Sequence, residues 1–177
     1  MATAILARHQ LKTDPNFDSG LRILRSGKGS GPRHVVLTSV SSDSHTWNLV
    51  FLQLLLEYLG HRVTNLGACT PDEDIIDACK HHEPDLLVVS TVNGHGNIDG
   101  QRLISRLRQE PQLEHLPAVI GGQLGVRGIG DRTILTKRLL CAGFDAVFSG
   151  STVPAFLDFV NHLSPNSPRP ALAEVAA

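Results

Sequence analysis

Cysteine is scarce in this chain. Cys69, Cys79 and Cys141 are odd in number and far apart, and they match neither a metal-ligand spacing nor a disulfide framework. That excludes a disulfide-stapled secreted fold and fits a reduced, cytoplasmic compartment. An excess of charge is missing too: 16 Lys plus Arg stand against 17 Asp plus Glu. The balance offers no basic surface for nucleic acid or an anionic membrane. No apolar run approaches the roughly 20 residues that a membrane span needs. The opening, MATAILARHQLKTDPNFDSG, lacks a basic start followed by a long apolar stretch, so it does not read as a secretory signal.

What is present suits one α/β domain. Hydrophobic residues make up 41% of 177 positions, enough for a buried core. Residues 1–32 read as a loosely ordered extension and 164–177, with three prolines, as a flexible tail, leaving 33–163 as the domain. Within it, apolar runs alternate with helical periodicity. HVVLTSV (34–40), HRVTNLG (61–67), DLLVVS (85–90), PAVIGG (117–122) and FDAVFS (144–149) read as strands. Helices follow each: 47–59, one opened by Pro71 with Ile75, Ile76 and Cys79 inward, one with Leu103, Ile104 and Leu107 inward, one near 131–142, and a last one with Phe156, Val160 and Leu163. Five such units predict a parallel sheet covered on both faces, flavodoxin-like (Rossmann-like), in strand order 2-1-3-4-5. The first helix leaves almost no polar face, so either deep burial or a ligand or partner must cover it; deep burial is the reading preferred here.

In such a sheet, ligands bind outside the carboxyl ends of the strands at the switch point, here between strands 1 and 3. Asp43 and His45 follow strand 1. Ser90, Thr91 and Val92 lead into Asn93-Gly94-His95-Gly96 after strand 3. Gly121-Gly122 follow strand 4, and Ser149-Gly150-Ser151-Thr152 follow strand 5. The loop after strand 2, Ala68-Cys69-Thr70, looks unremarkable and lies to the side. A carboxylate two residues from an imidazole can fix its tautomer and make the other nitrogen a better metal donor, although Asp-x-His is equally a common solvated triplet. The glycine pair either admits a bulky group or makes a tight turn. Ser90 serves a ligand or its own loop, and Thr152 is an N-cap or a ligand contact.

Other occupants of this topology fit poorly. A response-regulator receiver needs a phosphorylatable Asp where Ser90 stands and a Lys where strand 5 ends in Phe148-Ser149. The loop 41–46 has hydroxyls for a flavin phosphate but no glycine, and its Asp43 would repel one. A nicotinamide site wants Gly-x-Gly-x-x-Gly after strand 1, and the glycine-rich GGQLGVRGIG after strand 4 has the wrong spacing. A zinc site from Asp43, His45 and His95 lacks a compact ligand pair.

Three stretches, SDSHTWN (42–48), STVNGHGNIDG (90–100) and AGFDAVFSGSTVP (142–154), together with Gly121-Gly122, resemble the cobalamin-binding domains that carry Asp-x-His-x-x-Gly, Ser-x-Leu and Gly-Gly in that order. Within that family the similarity is greatest to the small (sigma) subunits of glutamate mutase (methylaspartate mutase), over residues 33–163. The resemblance implies that His45 is the lower cobalt ligand and Asp43 its hydrogen-bond partner. It implies that Ser90 contacts the displaced nucleotide base and that Gly121 and Gly122 make room for the nucleotide tail. Two positions depart: the family glycine is Asn48, with Trp47 beside it, and Ser-x-Leu reads Ser90-Thr91-Val92.

Edge and resemblance together give a candidate cofactor-binding set. It comprises Asp43, Ser44, His45, Thr46 and Asn48 from the first loop, and Ser90, Val92, Asn93 and Gly94 from the third. Gly121, Gly122 and Gln123 come from the fourth, and Gly150, Ser151 and Thr152 from the fifth. His45 is the one expected metal ligand, and no residue is assigned a catalytic step. The implied cofactor is adenosylcobalamin, with its cobalt. The implied activity is that of an isomerase component converting glutamate to 3-methylaspartate. A barrel of about 250 residues does not fit in this chain, so a separate barrel-type catalytic subunit, in a hetero-oligomer, is the expected partner. A corrinoid carrier for methyl transfer is the second reading, though residues 1–32 are too short for the helical cap such carriers have. A non-catalytic cobalamin sensor or module is the third.

Overall fold

β3, Leu86–Thr91, is buried at all six positions, as an uninterrupted β-branched and apolar run demands of a strand covered on both faces. β1, His34–Thr38, lies beside it, and β2, Arg62–Gly67, β4, Ala118–Gly122, and β5, Ala146–Ser149, complete one sheet. All pairs are parallel and the order is 2-1-3-4-5. Five helices follow the strands among the described residues: α1, Trp47–Tyr58; α2, Asp72–His82; α3, Gly96–Leu107; α4, Ile129–Ala142; and α5, Val153–His162. This computed structural model describes residues 31–125, 129–150 and 153–163. The sheet and α1–α4 belong to one compact unit, Pro32–Thr152, and α5 belongs to a second.

The strand period of two sorts the core. Val36, Leu87, Val89, Ala118 and Ile120 pack with Ile75, Ile76 and Cys79 of α2, with Leu103, Ile104 and Leu107 of α3, and with Leu139 of α4. Val35, Leu37, Val88 and Val119 alternate onto the opposite face, which α1 covers with Leu49, Leu55 and Leu56. In the second unit, α5 buries Phe156, Leu157 and Val160.

The local chemistry explains the helix ends. Asp72, Glu73 and Asp74 open α2 and Lys80, His81 and His82 close it, complementing the helix dipole. Glu83 then ends the helix in a left-handed conformation, φ 44°. Pro71 is extended, at ψ 150°, and precedes the helix rather than forming its first turn. β1 ends at Thr38, two residues before the apolar run does, and β5 starts at Ala146. α1 departs from the expectation of deep burial. Trp47 is 80% exposed, and Phe51 and Val50 are exposed beside it, because the sheet covers only one side of the helix. The expected extension and tail fall outside the described residues except at positions 31 and 32.

Candidate functional site

β1 and β3 are neighbours whose following helices leave toward opposite faces, so the loops after them diverge and leave a crevice at the carboxyl edge. Asp43 sits in that crevice and is fully buried. Its Oδ1 accepts from the His45 backbone N–H at 3.0 Å and lies 2.7 Å from His45 Nδ1. Its Oδ2 accepts from the Thr91 hydroxyl at 2.8 Å and from the Val92 N–H at 2.6 Å. Burial alone would push this carboxyl up. The donors from His45, Val92 and Thr91 outweigh it and hold the pKa down at about 2. An ionised carboxylate only accepts, so in the neutral ring Nδ1 carries the proton and Nε2 keeps the lone pair. The His45 side chain is 60% exposed. The arrangement is an imidazole with a fixed tautomer, braced from behind and open in front.

The brace is itself held. Asn93 Nδ2 donates to the Ser42 carbonyl and hydroxyl, both at 2.9 Å, and Asn93 Oδ1 accepts the His95 N–H at 2.9 Å. Ser42 Oγ bonds Asp99 Oδ2 of α3. Arg102 then ties Asp99, the buried Asp72 of α2 and Ser41 together. The loop after β2 is not a bystander: the Cys69 N–H donates to the Asp43 carbonyl at 2.9 Å, with Cys69 at φ 54°.

A second feature lies under α1. Asn48 Nδ2 donates to Ser90 Oγ at 2.9 Å and to the Ser90 carbonyl at 3.1 Å. A carbonyl can only accept, which sets the amide orientation. Asn48 Oδ1 is buried without a hydrogen-bond partner, and so is the hydroxyl of fully buried Ser39. Ser39 follows Thr38, the register partner of Val89, so it stands beside Ser90 on the sheet face that α1 covers.

The glycine pair answers first to the chain's own packing. A β-carbon on Gly121 would meet the Phe148 carbonyl at 3.0 Å, and one on Gly122, at φ 105°, would meet the Thr91 carbonyl at 2.1 Å. Gly122, Gln123, Val92, Ser149 and Gly150 line a cavity of about 300 Å³ with Leu124, Arg132 and Leu135. Thr46 lies apart from it, on a shallow groove between α1 and β2. Ser44 is exposed, Gly94 takes φ 82°, and Ser151 and Thr152 lie outside the described residues. Sequence reasoning left Thr91, Ser39 and Arg132 out of the set. Two hydroxyl residues ending a wholly apolar strand were the available signal for Thr91.

Among the described residues, no group of three or more His, Cys, Asp or Glu could hold a bare metal ion, so a zinc site from Asp43, His45 and His95 is not formed. A lone, carboxylate-backed imidazole suits a metal that arrives in its own equatorial ring. No helix among the described residues is long and apolar enough to cross a membrane.

Comparison with known proteins gives the same direction. The family described as "B12 binding domain" matches residues 33–151. Glutamate mutase sigma subunit 1 of Haloarcula marismortui is 33% identical over 124 residues, covering 70% of this chain and 80% of that one. The glutamate mutase sigma subunit of Halobacterium salinarum is 34% identical over 118 residues, covering 67% and 77%. Among solved structures, a cobalamin-binding protein from Desulfitobacterium hafniense DCB-2 superposes with a TM-score of 0.61 at 19% identity, covering 76% of this chain and 60% of that one, a likeness of fold.

Proposed function

Because this chain belongs to the B12-binding domain family, we propose that it is the cobalamin-carrying subunit of an adenosylcobalamin-dependent carbon-skeleton mutase of the glutamate to 3-methylaspartate type. The observation that carries this reading is the His45–Asp43 pair: an exposed imidazole at the switch point, its Nδ1 held 2.7 Å from a buried carboxylate. The kinship to sigma subunits supports the choice of reaction. When bound, the cofactor supplies a cobalt–carbon bond weak enough to start radical rearrangement; the chain's own residues supply binding and orientation.

His45 Nε2 would be the nitrogen that holds the cobalt. Asp43, against Nδ1, sets the tautomer in which Nε2 of the neutral ring carries the lone pair and holds the ring in orientation, and Thr91 and the Val92 N–H keep Asp43 in place. Ser90 and the Gly121-Gly122 turn would hold the nucleotide tail, within a cofactor-binding region proposed to span 33–163. The substrate site belongs to a larger catalytic partner, barrel-shaped in this proposal, which docks over the cobalamin and completes a hetero-oligomer in the cytoplasm.

The test is a visible spectrum of the wild type and of His45→Ala, each incubated with adenosylcobalamin and desalted. A nitrogen-ligated spectrum in the wild type, with loss of cofactor or a base-off spectrum in the variant, is the expected outcome. Identical spectra from both would remove His45 from the metal. Turnover of glutamate only after a catalytic subunit is added would support the mutase, whereas methyl transfer from methylcobalamin would move the chain to the carrier class.

A further inference from the structure

Side chains alternate along a strand, which divides the carboxyl edge of the sheet into two sides. Val89, Ile120 and Val147 belong to the core shared with α2, α3 and α4. Ser90, Gly121 and Phe148, one residue on, therefore lie on the opposite side, and Thr91, Gly122 and Ser149 return to the side of α4. These last three are register partners in one row. The cavity of about 300 Å³ opens on their side, where Gly122 and Ser149 line it with Arg132, Leu135 and Thr136 of α4. The sheet thus stands between this cavity and the Ser90 side chain.

Four polar side chains meet in the cavity, those of Arg132, Thr136, Ser149 and Gln123. Among the described residues, none of the four has a side-chain hydrogen bond or an ion pair. No Asp or Glu is among the described lining residues. Arg132 also stands near the amino end of α4, where a cation opposes the helix dipole, so its charge does not serve the helix. Its guanidinium lies over the loop after β5: a β-carbon built on Gly150 would be 3.7 Å from Nη1.

We propose that this cavity binds a small oxyanion, a phosphate or a carboxylate, on the Arg132 guanidinium. The planar fork presents two parallel N–H donors to two oxygens of such a group. The Thr136 and Ser149 hydroxyls and the Gln123 amide donate to the oxygens that remain. Leu124 and Leu135 form an apolar wall that strengthens the attraction by excluding water. The site does not depend on the cobalamin reading, which assigns the nucleotide tail to the Ser90 side of the sheet.

The experiment titrates the full chain, free of corrinoid, with sodium phosphate and separately with sodium succinate, sodium chloride holding the ionic strength constant. Binding is read from the amide signals of Gly122, Gly125 and Gly150 in a nitrogen–proton correlation spectrum. These signals are expected to shift and saturate below about 10 mM with at least one anion, and the tighter of the two identifies the class. Arg132→Gln should weaken binding about tenfold through loss of the charge-assisted bonds. Arg138→Gln, on the same helix but outside the cavity, should leave it unchanged. Amide signals away from the cavity report whether each variant is folded. No saturation with either anion, or equal affinities in wild type and Arg132→Gln, overturns the inference, as does equal weakening by the two variants. A repeat with cobalamin bound separates the sources of the oxyanion. Persistent phosphate binding supports a free anion, whereas its loss would give Arg132 to the phosphodiester of the cofactor and overturn the inference.

Discussion

At φ 105°, Gly122 turns its α-carbon so that a side chain there would point into the Thr91 carbonyl. Thr91 in turn donates to Asp43, and Asp43 braces His45. One glycine therefore protects the geometry of the proposed metal ligand at three removes. Gly122→Ala is expected to destabilise the fold by about 3 kcal/mol, combining the left-handed conformation with a backbone clash. Gly121→Ala, whose nearest contacts are 3.0 and 3.2 Å, should cost about 1 kcal/mol. Urea denaturation of both variants measures this; equal losses would mean the contacts at Gly122 relax freely. The Asp43–His45 contact was legible in the sequence because the two residues are two apart and the turn between them is local. Thr91 is 48 residues from Asp43 in the chain, so its part in the brace depends on the pairing of β1 with β3.

Between elements, Arg102 ties two helices to the loop of the site. From α3 it reaches the buried Asp72 of α2 through two nitrogens, Asp99 on its own helix, and Ser41 in the loop that carries Asp43. These bonds hold its guanidinium charged, with the Asp72 bond contributing most. Arg102→Met removes both hydrogen bonds that Arg102 makes to the buried Asp72 carboxylate and leaves it only the more distant Arg106, at 3.6 Å. Because Arg102 is 46% exposed, solvent screens part of the loss, and about 1–2 kcal/mol is expected. Hydrogen exchange at residues 41–45 should quicken in the variant; unchanged exchange there would mean that the loop's bonds to Asn93, Asp99 and Cys69 secure it without Arg102. α1 is the element that periodicity described least well. Ten apolar residues among the thirteen of 47–59 suggest burial all round, yet the sheet covers only the side facing β1, β2 and β3, and Trp47, Val50 and Phe51 remain on the surface. A composition without a polar face cannot say which side the sheet will take.

Across the whole molecule, two histidines give the stability a pH dependence. Burial, and then the Arg33 charge, lower the pKa of His61, whose Nδ1 accepts the Arg33 backbone N–H at 3.2 Å. Burial and Arg62 do the same to His34, at the start of β1. The unfolded chain therefore takes up protons before the folded one as pH falls. Stability is full above the unfolded value of about 6.5 and declines below it. The thermal midpoint is expected to hold a plateau above about pH 6.5 and to fall on acidification. His61→Asn, which keeps an acceptor but does not titrate, should flatten that fall. The same slope in wild type and variant would place the dependence elsewhere.

The sequence by itself determined the alternation of strands and helices, the parallel sheet and the edge where the chemistry collects. Those follow from local periodicity and from the handedness of crossover connections. It also determined the Asp43–His45 pair, whose members are near neighbours in the chain. Only the tertiary structure decided that Asn48 reaches Ser90, that Ser39 stands beside it without a partner, and that Gly122 is packed against Thr91. Each of these joins residues from different strands or helices. Their distances depend on sheet register and on how α1 lies across the sheet, which one segment's pattern does not encode.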